Sequence, residues 1–211
     1  MFSRPNQTSF LPESDRLRLY DTCIEATLER GFGLDVGEIA LLAAVDEREA
    51  EASYPTLDDL LDEVADNLER DFRGVTLDAY ENGPGPWRER VRRAAYAAAE
   101  WLRDHSREVR WAVAALKSHP PAARRLRTRT LKPFVDIIDD GRRELRDPTE
   151  VSPAVAEGLV GLLLDAVVRE VSVTGGTERI TELVPGLMYV VLSPYVGHEQ
   201  AAEELSRSLL S

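Results

Sequence analysis

The chain has 211 residues, enough for one large or two small domains with a real core. Its 26 Lys and Arg stand against 38 Asp and Glu, a formal charge of −12 that favours solubility and gives no overall nucleic-acid signature. A single cysteine, Cys23, excludes an internal disulfide and suits a reducing compartment. No apolar run follows a basic start, and the most apolar stretches, 159–164 and 187–192, fall far short of the ~20 residues that span a bilayer. The expectation is a cytoplasmic protein with no membrane partner.

Taken in order, residues 1–12 are polar, carry Pro5 and Pro12, and read as a flexible arm. A first helix is predicted over Glu13–Arg30, with Leu17, Tyr20, Ile24 and Leu28 in one apolar stripe and Gly31 as its C-cap. Cys23 flanks that stripe, with no nearby base to activate a thiolate, and is expected to pack.

Three helix-start signals then follow within 22 residues. Asp35 stands three residues before Glu38, Asp46 three before Glu49, and Thr56 three before Asp59. Such a side chain accepts a hydrogen bond from an otherwise orphaned backbone N–H, and the acid three residues on sits at the positive end of the helix dipole. Val36, Ile39, Ala40 and Ala43 recur at helical spacing between the first two signals, with Val45 closing the turn. Two helices of about two turns joined so tightly make a helix-turn-helix.

This segment resembles the N-terminal domain of TetR-type transcriptional regulators. The resemblance is carried by Glu29-Arg30-Gly31-Phe32, by Ile39-Ala40-Leu41-Leu42-Ala43-Ala44-Val45-Asp46, and by Tyr54-Pro55-Thr56-Leu57-Asp58-Asp59-Leu60-Leu61. A later Leu192-Ser193-Pro194-Tyr195-Val196-Gly197 is similar to a motif common in the C-terminal domains of that family. It implies a helix-turn-helix domain over 13–55, a linking helix over 56–81, and a ligand-binding and dimerisation domain over 82–211. The fold class expected is all-α: a three-helix N-terminal unit with a larger helical body.

By that resemblance the DNA-contacting positions are Asp46, Glu47, Arg48, Glu49, Glu51, Ala52 and Tyr54, with Leu57 where a phosphate-contacting Lys is usual. Their chemistry is unusual for the task. From Glu13 to Leu61 there are thirteen acids and four bases, a formal charge of −9. Affinity for duplex DNA comes largely from cations that displace counterions, and here Arg48 is the lone base of the second helix. Two functions therefore stand: a dimeric, ligand-modulated regulator with a DNA operator as partner, or a protein of the same fold that has lost ordinary operator binding and acts through a ligand or a protein partner.

Glu81-Asn82-Gly83-Pro84-Gly85-Pro86 breaks the chain and marks the boundary to the body. Helices are predicted over Trp87–His105, about Arg107–Ser118, and about Ala122–Leu145, the last kinked or split at Pro133. Ala94, Ala95, Ala97, Ala98 and Ala99 suit close helix approach. From Arg88 to Arg146 charge reverses, with sixteen bases and eight acids. A mostly apolar pocket is expected among these helices, walled by Trp101, Trp111 and Phe134, with Arg103 or Arg129 to orient a small apolar or anionic ligand.

Two further helices, Ser152–Val173 and Thr177–Val196, are apolar around most of their circumference and must be covered on more than one side. Leu159, Leu163, Val167, Leu187, Val191 and Tyr195 are the expected homodimer contacts, as in the family's four-helix interface. The three histidines lie in separate segments without metal-ligand spacing, and no phosphate-binding loop, dinucleotide fingerprint or nucleophile motif occurs. Neither catalytic residues nor a metal or cofactor is expected.

Overall fold

The computed structural model describes residues 11–118 and 131–206, and every regular element among them is helical. The order is α1 (Glu13–Arg30), α2 (Val36–Ala43), α3 (Glu47–Ser53), α4 (Leu57–Glu81), α5 (Trp87–Asp104), α6 (Ser106–Ser118), α7 (131–139), α8 (Ala154–Thr174), α9 (Ile180–Val196) and α10 (His198–Ala202). Among the described residues no helix is long and apolar enough to cross a membrane. The expected arm lies mostly outside the described residues, but Leu11 is buried in the N-terminal core and so belongs to the fold.

At all three start signals the capping side chain accepts from a backbone N–H as expected, and at two of them the bond is reciprocated. Asp35 Oδ1 accepts from Glu38 N at 2.8 Å while Glu38 Oε2 accepts from Asp35 N at 2.9 Å, a complete reciprocal box at α2. Thr56 and Asp59 form the same box at α4. At α3 only half of it forms: Asp46 Oδ1 accepts from Glu49 N at 3.0 Å. Between α2 and α3, Ala44 adopts φ 52°, ψ 45°, and its N–H is bonded to the end of α2. That left-handed geometry costs a residue with a Cβ about 1–2 kcal/mol.

Two hydrophobic clusters result. The first joins α1, α2 and α3 with the start of α4 through Leu19, Cys23, Ile24, Ile39, Leu60 and Val64. Cys23 packs there fully enclosed, and burial pushes its thiol up to about 12, consistent with packing. The second cluster fills the body, from Tyr80 and Trp87 to Tyr195 and Ala201.

Trp87 fixes the base of the body. Its Nε1 donates to the Ile137 carbonyl at 2.8 Å, and its ring meets Tyr195 edge-on at 5.0 Å. The backbone of Gly141 lies so close to the ring that a Cβ would stand 2.6 Å from Trp87. At this contact α7 ends early, passing at Asp140 into a 3-10 turn through Glu144 rather than continuing to Leu145. Pro133 sits in the first described turn of α7, so the expected kink or split falls beside residues outside the described set. Helix α9 starts at Ile180 rather than Thr177, because the enclosed Thr177 hydroxyl donates to the Arg103 carbonyl. Arg92 then grips the buried Glu204 with both Nε and Nη2, fastening the C-terminal turn to α5.

Ala44→Gly should relieve the turn strain, less the greater backbone entropy that glycine loses on folding. A gain of about 0.5–1 kcal/mol is expected, read as a higher denaturant midpoint at unchanged slope.

Candidate functional site

The helix-turn-helix presents its outer face as follows. Glu47, Arg48, Glu49, Glu51 and Ala52 are all exposed on or beside α3, and Asp46 is exposed but occupied as the α3 cap. Tyr54 departs from the expectation. It is buried, with its hydroxyl 3.2 Å from that of Tyr20, which in turn donates to Glu63. Burial, then the Glu63 hydrogen bond, pushes the Tyr20 phenol far up, so it stays neutral and serves the domain core. Leu57 is likewise partly buried against that core. The exposed face carries one base against three glutamates, and α2 adds Leu41, 80% exposed.

Among the described residues the body holds a partly open cavity of about 300 Å³. Its wall comes from α4 (Leu68, Glu69, Phe72, Thr76), α5 (Ala94, Ala95, Ala98, Trp101), α6 (Glu108, Val109, Ala112, Val113), α7 (Leu131, Phe134), α8 and α9. Ala94, Ala95, Ala98 and Ala99 of α5 line it, and their short side chains leave that part of the volume open, while the same helix packs closely on α4. Trp101 and Phe134 line it, and Phe72 bridges them, its ring 5.3 Å from that of Trp101 and 5.5 Å from that of Phe134.

Of the other three expected wall residues, two lie elsewhere and one falls outside the described residues. Arg103 points to solvent, its Nε 2.9 Å from Asp104 Oδ1, and this pairing holds the Asp104 carboxyl below its ordinary value. Arg129 lies outside the described residues. Trp111 is 1% exposed but belongs to the N-terminal core, where its Nε1 donates to Thr27 Oγ1 of α1 at 3.0 Å. Beside it Arg107 pairs with Asp21 of α1 at 2.7 Å. The reason is helical geometry: Val109, Ala112 and Val113 share the face of α6 that looks into the cavity, and Trp111 leaves from the opposite one.

The six residues expected at a dimer interface also point inward. Leu159, Val191 and Tyr195 are buried in the chain's own core, while Leu163, Val167 and Leu187 line the cavity. The outer side of α8 and α9 offers other positions. Leu162 is 43% exposed, and a Cβ added at Gly158, Gly161 or Gly186 would meet nothing within 4 Å.

No family model matches the chain, and no curated protein sequence matches it. Solved structures do. The fatty acid degradation regulator FadR from Bacillus halodurans superposes with a TM-score of 0.71 at 15% identity, covering 89% of this chain and 97% of that one. A structure described as a TetR-family transcriptional regulator, from Syntrophomonas wolfei, gives 0.72 at 12% identity over 94% and 99% of the two chains. A TetR-like regulator from Rhodococcus sp. RHA1 gives 0.55 at 18% identity over 94% and 100%. The fold is that of TetR-type transcriptional regulators.

Thr27→Val keeps the side-chain volume but leaves the buried Trp111 Nε1–H without an acceptor. It should destabilise the protein by about 1–3 kcal/mol, seen as a lower denaturant midpoint, whereas Asp21→Asn at the exposed Arg107 pair should cost about 0–1 kcal/mol.

Proposed function

We propose that the protein is a dimeric transcriptional regulator in which a small molecule in the body cavity biases the placement of two helix-turn-helix units on a DNA operator. One observation carries this reading. Helix α6 contributes Glu108, Val109, Ala112 and Val113 to the cavity wall and, from its other face, buries Trp111 in the helix-turn-helix core. Helix α4 is shared in the same way, with Leu60, Leu61 and Val64 in the N-terminal core and Leu68 and Phe72 on the cavity. A ligand that moves either helix by a fraction of an ångström cannot leave the N-terminal core unmoved, because packed cores deform poorly. Ligand and operator then compete or cooperate through the difference in their affinities for two arrangements of these helices. That a regulator of fatty acid degradation shares the fold, and that the cavity wall is so apolar, supports a lipophilic ligand.

The domain division proposed is a helix-turn-helix unit to about residue 55, α4 as the link, and the remainder as body. Dimerisation is proposed through the outer side of α8 and α9, around Leu162, Gly158 and Gly186 rather than the six inward-facing residues. Leu162→Glu should yield monomers by sedimentation equilibrium at micromolar concentration, while Leu163→Glu should disturb the cavity instead. A wild-type protein that sediments as one chain contradicts the dimer.

A second reading rests on the exposed acids Glu47, Glu49 and Glu51 together with exposed Leu41. Carboxylates repel phosphate, and an exposed leucine has no use for it, so this face suits a protein partner better than it suits a polyanion. A salt-titrated DNA-binding measurement on the purified dimer separates the two. One Arg48 per protomer predicts a slope of log affinity against log salt of about −2. Binding with that shallow slope supports the regulator. No operator captured from a genomic fragment library, even at low salt, supports the second reading.

A further inference from the structure

We infer that Tyr20, Tyr54 and Glu63 are positioning residues, a hydrogen-bond relay that carries movement of α4 through α1 to the end of α3. This deepens the proposed coupling of cavity to helix-turn-helix, rests on it, and names its last link. Tyr54 is the C-cap of α3 and is 2% exposed, and its hydroxyl lies 3.2 Å from that of Tyr20 on α1. The Tyr20 hydroxyl has one proton and donates it to the Glu63 carboxylate of α4. Tyr54 is therefore the donor toward Tyr20, and the bonds run in one direction, from α3 through α1 to α4. Burial pushes both phenols up from their ordinary value, so both remain protonated donors near neutral pH. Hydrogen bonds in series that end on an ion strengthen one another.

The packing shows what such a link adds. Helix α3 packs chiefly on α2, and its covalent tie to α4 runs through the exposed Pro55 and Thr56. A connection that short can bend, so α4 can tilt and leave α3 in place. The relay closes the other side of that bend, tying Tyr54, just before it, to Glu63, about two turns into α4. Glu63 in turn precedes Leu68 on the cavity wall by about 7.5 Å of helix. On α1, Thr27 accepts from Trp111 and lies about two turns beyond Tyr20 on the same buried face. Helix α1 thus takes one input from α6 at Thr27 and one from α4 at Tyr20, and meets α3 at Tyr54. A buried hydroxyl needs only some acceptor, and the Cys23 carbonyl serves Thr27 in that way. Tyr20 instead uses a side chain of the helix that walls the cavity.

Full-length, isotope-labelled protein tests the relay by NMR, with decanol as the probe. The indole N–H signals of Trp101 and Trp111 report occupancy and arrival at the N-terminal core, and the Arg48 and Ala52 amides report α3. In the wild type all four should move along one saturation curve. Tyr54→Phe, which removes a single hydroxyl, should cut the ligand-linked shifts of Arg48 and Ala52 by about two-fold or more while both indoles respond as before. Glu63→Ala should do the same, and Glu63→Gln, which keeps an acceptor, should restore the wild-type response. Should Tyr54→Phe fail to fold, the two variants at the half-buried Glu63 decide alone. A purely structural role predicts a lower denaturant midpoint with unchanged shifts, and that result overturns the relay. Arg48 and Ala52 fixed in the wild type while Trp111 moves also overturns it, and leaves the coupling intact. Trp101 saturating with Trp111 fixed, or neither indole responding to decanol, overturns coupling and relay together.

Discussion

Among the described residues, helices with two faces connect the two halves of this molecule, and the burial of Trp111 is the strongest of those connections. Removing a fully enclosed tryptophan from a core costs about 3–5 kcal/mol, whereas an exposed ion pair such as Arg107–Asp21 contributes about 0–1 kcal/mol. The packing of Trp111 against α1, closed by its hydrogen bond to Thr27, therefore sets the position of α6 relative to the helix-turn-helix. The ion pair beside it adds little to that position. Because the same helix forms a wall of the cavity, the volume available to a ligand and the tilt of α1 are not independent quantities.

Charge is distributed with equal consequence. The helix-turn-helix is acidic and the middle helices are basic, the reverse of what a DNA reader with a neutral body would carry. Yet much of the basic character is spent within the body, with Arg92 on Glu89 and Glu204, Arg142 on Asp139, and Lys132 on Asp136. Pairing of this kind leaves the N-terminal face dependent on Arg48 and on the amides at the start of α3 for any phosphate contact. It also leaves the cavity wall almost wholly apolar among the described residues, with Glu69 and Glu108 paired outward to Arg73 and Arg107. The apolar wall follows from where these side chains were placed along the helices, not from net composition.

Local signals in the sequence specified local structure well. Asp35 with Glu38, and Thr56 with Asp59, form the boxes their spacing implies, and Gly31 and Gly175 end α1 and α8 with positive φ. What periodicity could not tell was which of two cores a side chain enters. Trp111 fits a helical stripe whether it faces the body or α1, and only the tertiary arrangement sends it to Thr27. Tyr54 occupies a position that suggests phosphate contact, but its ring is buried, with its hydroxyl beside that of Tyr20, a residue of α1 far away in sequence. Helices α8 and α9 are apolar nearly all round, so inward and outward faces had no sequence contrast; Leu163 and Val191 proved to be wall and core, and Leu162 the open position.

The central claim is that cavity and helix-turn-helix share one mechanical element. The most direct measurement follows the indole N–H resonances of the tryptophans while a probe such as decanol fills the cavity. Trp101, on the wall, reports occupancy, and Trp111, in the N-terminal core, reports transmission. The account predicts that both resonances shift along one saturation curve with a common midpoint. A Trp101 signal that saturates while Trp111 stays fixed would contradict it, because the ligand would then be bound without the helix-turn-helix sensing it.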